Sequence, residues 1–194
     1  MTSSAQKPPA PAATFPRPPQ TFATMRLVAR PPRASDADAV FAAYANDPEV
    51  TRYLSWRAYS RVAPLTAFLK ECAAHWEKGT SPYAWLLCLK GTDTPMGSIG
   101  VTFEPGGKAM FGYVLAQKFW HRGLAAEALT FLVNWSLAQP EIYRAWAFCD
   151  TENSASVRVM EKAGLAREGL LQRWHVCPTL GAEPRDCIVC AKVK

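Results

Sequence analysis

The run Phe119-Trp-His-Arg-Gly-Leu-Ala-Ala-Glu-Ala-Leu129 holds the residues whose order is best suited to chemistry. Gly123 lets the chain turn closely, and Leu124, Ala125 and Ala126 open a run of strong helix formers. The first turn of a helix leaves its N–H groups unpaired at the positive end of the helix dipole. With His121 and the cationic Arg122 beside them, those donors make a site for a phosphate or pyrophosphate.

Other reactive side chains are scattered. Asn153 stands at a predicted helix start, where its amide is an ordinary cap, and Ser156 follows three residues later. Glu104 ends one predicted strand and Asp150 ends another, and each reads equally well as a turn acid and as a proton acceptor. His75, in an amphipathic helix, and His175, in a late loop or strand, read as structural. The six cysteines are spread through apolar segments, which fits reduced thiols in the cytoplasm. Cys187 and Cys190 form a C-x-x-C, but strand alternation points them to opposite faces and no second pair completes a zinc site, so no metal is expected.

These residues need a frame. A chain of 194 residues with 49% hydrophobic content can bury one sizeable core. No apolar run nears the roughly 20 residues that span a bilayer, so no membrane association is expected. The net charge of +6 raises the possibility of nucleic acid, yet no basic run or recognition module is present, and a polyanionic small molecule satisfies the same charge. Nucleic acid is therefore not an expected partner.

Residues 1–24 are rich in Pro and Ala, with Pro8, Pro9, Pro11, Pro16, Pro18 and Pro19 breaking helix and ladder alike, and they read as a flexible tail. Met25 opens the domain proper, 25–194, and is a possible alternative start. Arg26–Arg30 suits a first strand, and Ser35 caps a helix that begins with acids. A second helix covers Pro64–Glu77. Three strands, Tyr83–Leu89, Gly97–Phe103 and Met110–Leu115, are separated by turn sequences and form an antiparallel meander. A central helix follows over Gly123–Leu137, then a strand over Ile142–Cys149 and a helix over Ser154–Ala163. Two last strands lie near Ala166–Arg173 and Asp186–Lys192. This order implies a single α/β (α+β) domain with a mixed central sheet and helices on both faces.

The chain resembles the GNAT superfamily of acyl-coenzyme-A-dependent N-acetyltransferases over about residues 25–194. Trp120-His-Arg-Gly-Leu-Ala125 resembles its coenzyme loop, and Asn153-Ser-Ala-Ser156 through Lys162-Ala-Gly164-Leu165 resembles its second motif. Asn46-Asp-Pro-Glu-Val-Thr-Arg-Tyr-Leu-Ser-Trp56 is similar to the ribosomal-protein alanine (Rim-type) branch. The resemblance implies a GNAT-like, mostly antiparallel sheet of about seven strands, splayed at the coenzyme site. It also implies acetyl-CoA as cosubstrate, with its pyrophosphate on the backbone N–H groups from His121 to Ala126. Val114 and Leu115 would sit at the splay, with the Leu115 N–H as oxyanion donor. Asn153 would meet the pantetheine arm and Ser156 the thioester sulfur. Tyr53, Leu54 and Trp56 would wall the acceptor.

The chain departs from that pattern at two places. Many members of the branch carry Glu where this chain has Met110, and other relatives carry an acid Tyr where it has Met160. Ser156 or a water must then supply the acid, and Glu104 and Asp150 remain as base candidates. An α-amine, with a pKa near 7.7–8.0, needs less help than a lysine near 10.4. The implied activity is direct acetyl transfer to a primary amine, either a protein N-terminus or a small molecule. The alternative is a coenzyme-binding module without turnover, and both a monomer and a homodimer are compatible with either.

Overall fold

Alternating buried and exposed side chains build one eight-stranded sheet in the computed structural model, which describes residues 15–194. The strands are β1 (Phe22–Ala23), β2 (Leu27–Arg30), β3 (Tyr83–Leu89), β4 (Gly97–Glu104), β5 (Lys108–Leu115), β6 (Arg144–Asp150), β7 (Ala166–Val176) and β8 (Pro184–Val193). Their order is β1-β2-β3-β4-β5-β6-β8-β7. Every pairing is antiparallel except β5 with β6. The sheet is thus mixed and mostly antiparallel, as the sequence predicts.

The extra strand comes from the segment read as tail. Residues 1–14 lie outside the described residues, but residues 15–24 pack on the sheet. Phe22 is buried, stacks on Phe131 at 4.3 Å and meets Trp85 edge-on at 5.7 Å. The Trp85 Nε1–H donates to the Pro19 carbonyl, and Arg17 donates to the Trp76 carbonyl. Proline prevents regular structure here, yet it leaves carbonyls free to cap aromatic N–H groups that burial would otherwise leave unpaired.

The helices lie on both faces. On one side α3 (Leu124–Ala138) and α4 (Ser154–Lys162) pack against Trp85, Ile99, Val101, Phe111 and Leu115. The other side carries α1 (Ala37–Val40), the π-helical turn Phe41–Ala45 and the start of α2 (Val62–Lys78), which gather round Leu86. The first helix is not capped by Ser35 as its sequence predicts. Asp36 instead accepts the Arg33 N–H at 2.7 Å and two bonds from the buried Arg30, each 2.8 Å. Arg30 also holds Asp93 in the β3–β4 loop, so a charge network rather than a hydroxyl fixes this entrance.

Topology makes the opening that matters. The β5–β6 register runs only through Lys108–Arg144, Ala109–Ala145 and Met110–Trp146. Beyond Met110 the two strands part. The remainder of β5 is therefore paired to β4 alone, and its edge toward β6 is free.

Candidate active site

The parted strands open into a cavity of about 940 Å³. It runs from the start of α3, past the splay and the start of α4, to the wall made by α2 and the loop before it. Both motifs singled out in the sequence reach it.

At one end, Gly123 is the N-cap of α3 with φ +72°, a left-handed conformation that favours glycine. His121 also has a positive φ of +61°, so the loop coils tightly before the helix. No side chain caps α3, and the first backbone bond of the helix comes from Glu127 to the Gly123 carbonyl at 3.0 Å. The N–H groups of Leu124, Ala125 and Ala126 are left for a ligand, and all three residues line the cavity with His121 and Gly123. Arg122 behaves differently from its sequence reading. Its guanidinium lies over the Phe119 ring at 5.7 Å and is not among the cavity-lining groups, while its carbonyl accepts a bond from Arg26. Arg158 and Lys162 of α4 supply the cationic lining instead.

At the splay, backbone direction decides what is available. Ala116 donates its N–H to the Met96 carbonyl at 2.9 Å, and strand alternation then turns the N–H groups of Phe111, Tyr113 and Leu115 toward β6. With β6 gone past Met110, the Tyr113 and Leu115 N–H groups face the opening. The Leu115 carbonyl is taken by Trp120 Nε1–H at 2.8 Å, which anchors the loop before α3 to the strand end. Val114 was expected to offer backbone as well. Alternation turns its backbone to β4, so Val114 lines the cavity without offering N–H or C=O on the free edge.

The start of α4 closes this side. Asn153 is its N-cap, accepting the Ser156 N–H on Oδ1 at 3.1 Å. That cap orients the amide so that its NH₂ is free to donate. Ser156 Oγ lies 2.7 Å from the Tyr113 hydroxyl, which also donates to the Ser156 carbonyl at 3.0 Å. Burial pushes the Tyr113 phenol well above its usual range, so it stays protonated. Tyr113 was missed in the sequence, although alternation puts it on the same face as Phe111 and Leu115, toward α4. Cys149 also lines the splay, its thiol pushed up to about 12 by burial, and is correspondingly inert.

The two carboxylates proposed as bases fare poorly. Glu104 lies at the closed end of β5 and β6, bonded by Trp146 Nε1–H at 3.0 Å with Lys108 3.8 Å away, and does not line the cavity. Asp150 does line it, but is buried and paired to Arg185, with the Glu152 N–H on its other oxygen. Burial would raise its pKa, yet these partners outweigh that and hold it below the usual carboxylate range. Such an acid accepts a proton badly at neutral pH.

The far end of the cavity, where an acceptor was expected, is lined by Tyr53 and Leu54 together with Phe68 of α2. Trp56 is not part of it, since it packs on Tyr59 at 5.5 Å within the α1–α2 cluster. The sheet supplies the floor through Met110, Gly112 and Phe148, and the Gly100–Gly112 pair leaves the part between them without side chains. A Cβ on Gly112 would meet nothing within 4 Å.

The sequence profile described as Acetyltransferase (GNAT) domain matches residues 26–166. The chain belongs to the GNAT family. It is an acetyltransferase of the family that uses acetyl-CoA. An uncharacterized N-acetyltransferase, p20 of Bacillus licheniformis, is 28% identical over 158 residues, covering 80% of this chain and 88% of that protein. Among solved structures, the microcin self-immunity acetyltransferase MccE, in complex with acetyl-CoA and AMP, superposes with a TM-score of 0.78 at 16% identity. That match covers 88% of this chain and 93% of MccE. RimL, a ribosomal-protein α-N-acetyltransferase in complex with coenzyme A, gives a TM-score of 0.76 at 18% identity, covering 88% and 95%. Both share the GNAT fold.

Proposed function

We propose that this protein transfers the acetyl group of acetyl-CoA directly to a primary amine, and that it belongs to the Rim-type branch. The observation that carries the reading is that the uncapped start of α3, the bare backbone of β5 and the Ser156 hydroxyl all open into one cavity. Leu124, Ala125 and Ala126 would hold the pyrophosphate with their N–H groups. The free edge of β5 and the Asn153 amide would hold the pantetheine arm in the manner of an added strand. The Leu115 N–H would stabilise the oxyanion that forms when the amine nitrogen attacks the thioester carbon. As the C–S bond breaks, Ser156 would donate its proton to the departing sulfur and recover one through Tyr113, which is restored in turn by the proton that the new amide nitrogen sheds.

The acceptor we favour is the α-amine of a protein N-terminus, because its low pKa lessens the work of deprotonation and Asn46–Trp56 carries the branch motif. A small-molecule amine is the second choice. Six free, buried cysteines support a cytoplasmic setting. A coenzyme-binding module without turnover is the competing reading, favoured by Met110 and Met160 at places where relatives carry acids.

A thiol-release assay with acetyl-CoA and a panel of N-terminal peptides and small amines separates the two. The expected result is acceptor-dependent thiol release. Tight coenzyme binding with no release for any acceptor would establish the module.

A further inference from the structure

With Glu104 remote, Asp150 tied down and Met110 inert, the reaction lacks a base at the place where the amine must lose its proton. The cavity lining contains other titratable groups. Glu49 lies 3.8 Å from Arg52, and His75 Nδ1 is 3.2 Å from the Thr80 hydroxyl on the α2 wall. Glu71 is an exposed residue of α2. Glu152 is paired to Arg185 at 3.1 Å. His175 is different. It lines the cavity, is half-buried, and neither of its ring nitrogens has a hydrogen-bond partner among the described residues.

Its position follows from the sheet. A break in register between Leu171 and His175 shifts the end of β7, and His175 then pairs with Arg185. The imidazole stands edge-on to Phe148 with centroids 5.2 Å apart. Phe148 shares a face of β6 with Trp146, two residues back, and Trp146 is the last partner of Met110 before the strands part. Met110 and Phe148 both floor the acceptor half of the cavity. The imidazole therefore borders the cavity beside Phe148, beyond the last β5–β6 pair at Met110–Trp146.

We infer that His175 is the general base, a catalytic residue that takes the proton from the acceptor ammonium at the splay. This deepens the acetyltransferase reading and rests on it. One proton passes from the ammonium to an imidazole nitrogen and on to solvent. The neutral amine forms the C–N bond as the C–S bond breaks, and the second proton lost by nitrogen balances the one the sulfur gains. Charge around the ring suits the task. Asp150 on β6 and Glu152 after it are both held by Arg185 of β8, and Arg173 along β7 is paired to Glu183. Burial lowers the His175 pKa below the ordinary histidine value, against the pull of Asp150, so the ring is neutral and able to accept a proton at neutral pH.

The test compares the full chain with His175→Gln and His175→Ala, following acceptor-dependent thiol release from pH 5 to 9 alongside calorimetry with acetyl-CoA. The expected result is that both variants bind acetyl-CoA as the parent does and lose at least thirtyfold in kcat. The parent's fall in rate below pH 6.5 should vanish in His175→Gln, and added imidazole should restore part of the rate to His175→Ala. If a variant with intact acetyl-CoA affinity keeps kcat within threefold, or keeps the parent's acidic limb, His175 is not the base. A parent chain that fails to bind acetyl-CoA at all would overturn the acetyltransferase reading and this inference with it.

Discussion

Tyr113 and Ser156 hold each other by a 2.7 Å bond that crosses from β5 to α4, so the hydroxyl nearest the expected leaving sulfur has a buried proton source behind it. Tyr113→Phe should leave acetyl-CoA affinity unchanged and lower kcat about tenfold, less than the 10²–10⁴ typical of a group that transfers the proton itself. Thiol release at saturating acetyl-CoA measures it. Asp150 has a stabilising role, and the sign follows from its depressed pKa. Its contribution is present above the unfolded carboxylate value of about 3.9 and is lost as pH falls through the lower folded value. His175, held neutral in the fold, adds a separate loss that begins as pH falls below about 6.5, where the unfolded chain takes up the proton first. Thermal melts from pH 7 to 3 should show both steps. Asp150→Asn should remove the lower one and cost about 2 kcal/mol at pH 7.

At the scale of elements, the splay and the bare floor do the work. Gly112 shows how closely the two are linked, since it sits on the unpaired stretch of β5 and leaves space in the acceptor half. Gly112→Leu should fill that space, so that turnover with peptide acceptors falls at least tenfold while acetyl-CoA binding and melting temperature barely change. Steady-state kinetics with calorimetry checks this. Most elements were legible from periodicity, because β3, β4 and β5 bury one face or both and α3 is a strong helix former with a glycine at its start. The loop before α3 was legible for the same reason: its geometry is backbone, and backbone follows from Gly123 and the Ala-rich first turn. The far end of the cavity was not. Trp56 and Glu104 looked suitable by type, but one belongs to a helix cluster and the other to the closed end of the splay. Tyr113 is joined to Ser156, 43 positions on, and His175 packs on Phe148 of a strand that β8 separates from its own, contacts that no local pattern encodes.

For the molecule as a whole, residues 15–24 are part of the fold rather than an addition to it. A chain starting at Met25 loses the burial of Phe22, the bond from the Thr24 hydroxyl to Glu127 and the Pro19 carbonyl that caps Trp85. Burying one Phe contributes about 2–3 kcal/mol. At about 2–4 °C per kcal/mol for a domain of this size, the truncated chain should melt about 5–10 °C lower by calorimetry. Glu127, which holds Arg26, then loses the Thr24 hydroxyl as a partner, and the Arg26 guanidinium in turn supports the Arg122 carbonyl in the loop before α3, so the truncation should weaken coenzyme binding too. That loop carries the central claim, and isothermal calorimetry with acetyl-CoA on the parent chain and Gly123→Asp tests it most directly. The account predicts one site per chain in the parent and at least a tenfold weaker site in the variant, about 1.4 kcal/mol, from a strained left-handed turn and a carboxylate set against the pyrophosphate. Equal affinity in the two proteins, or no binding in the parent, would contradict it.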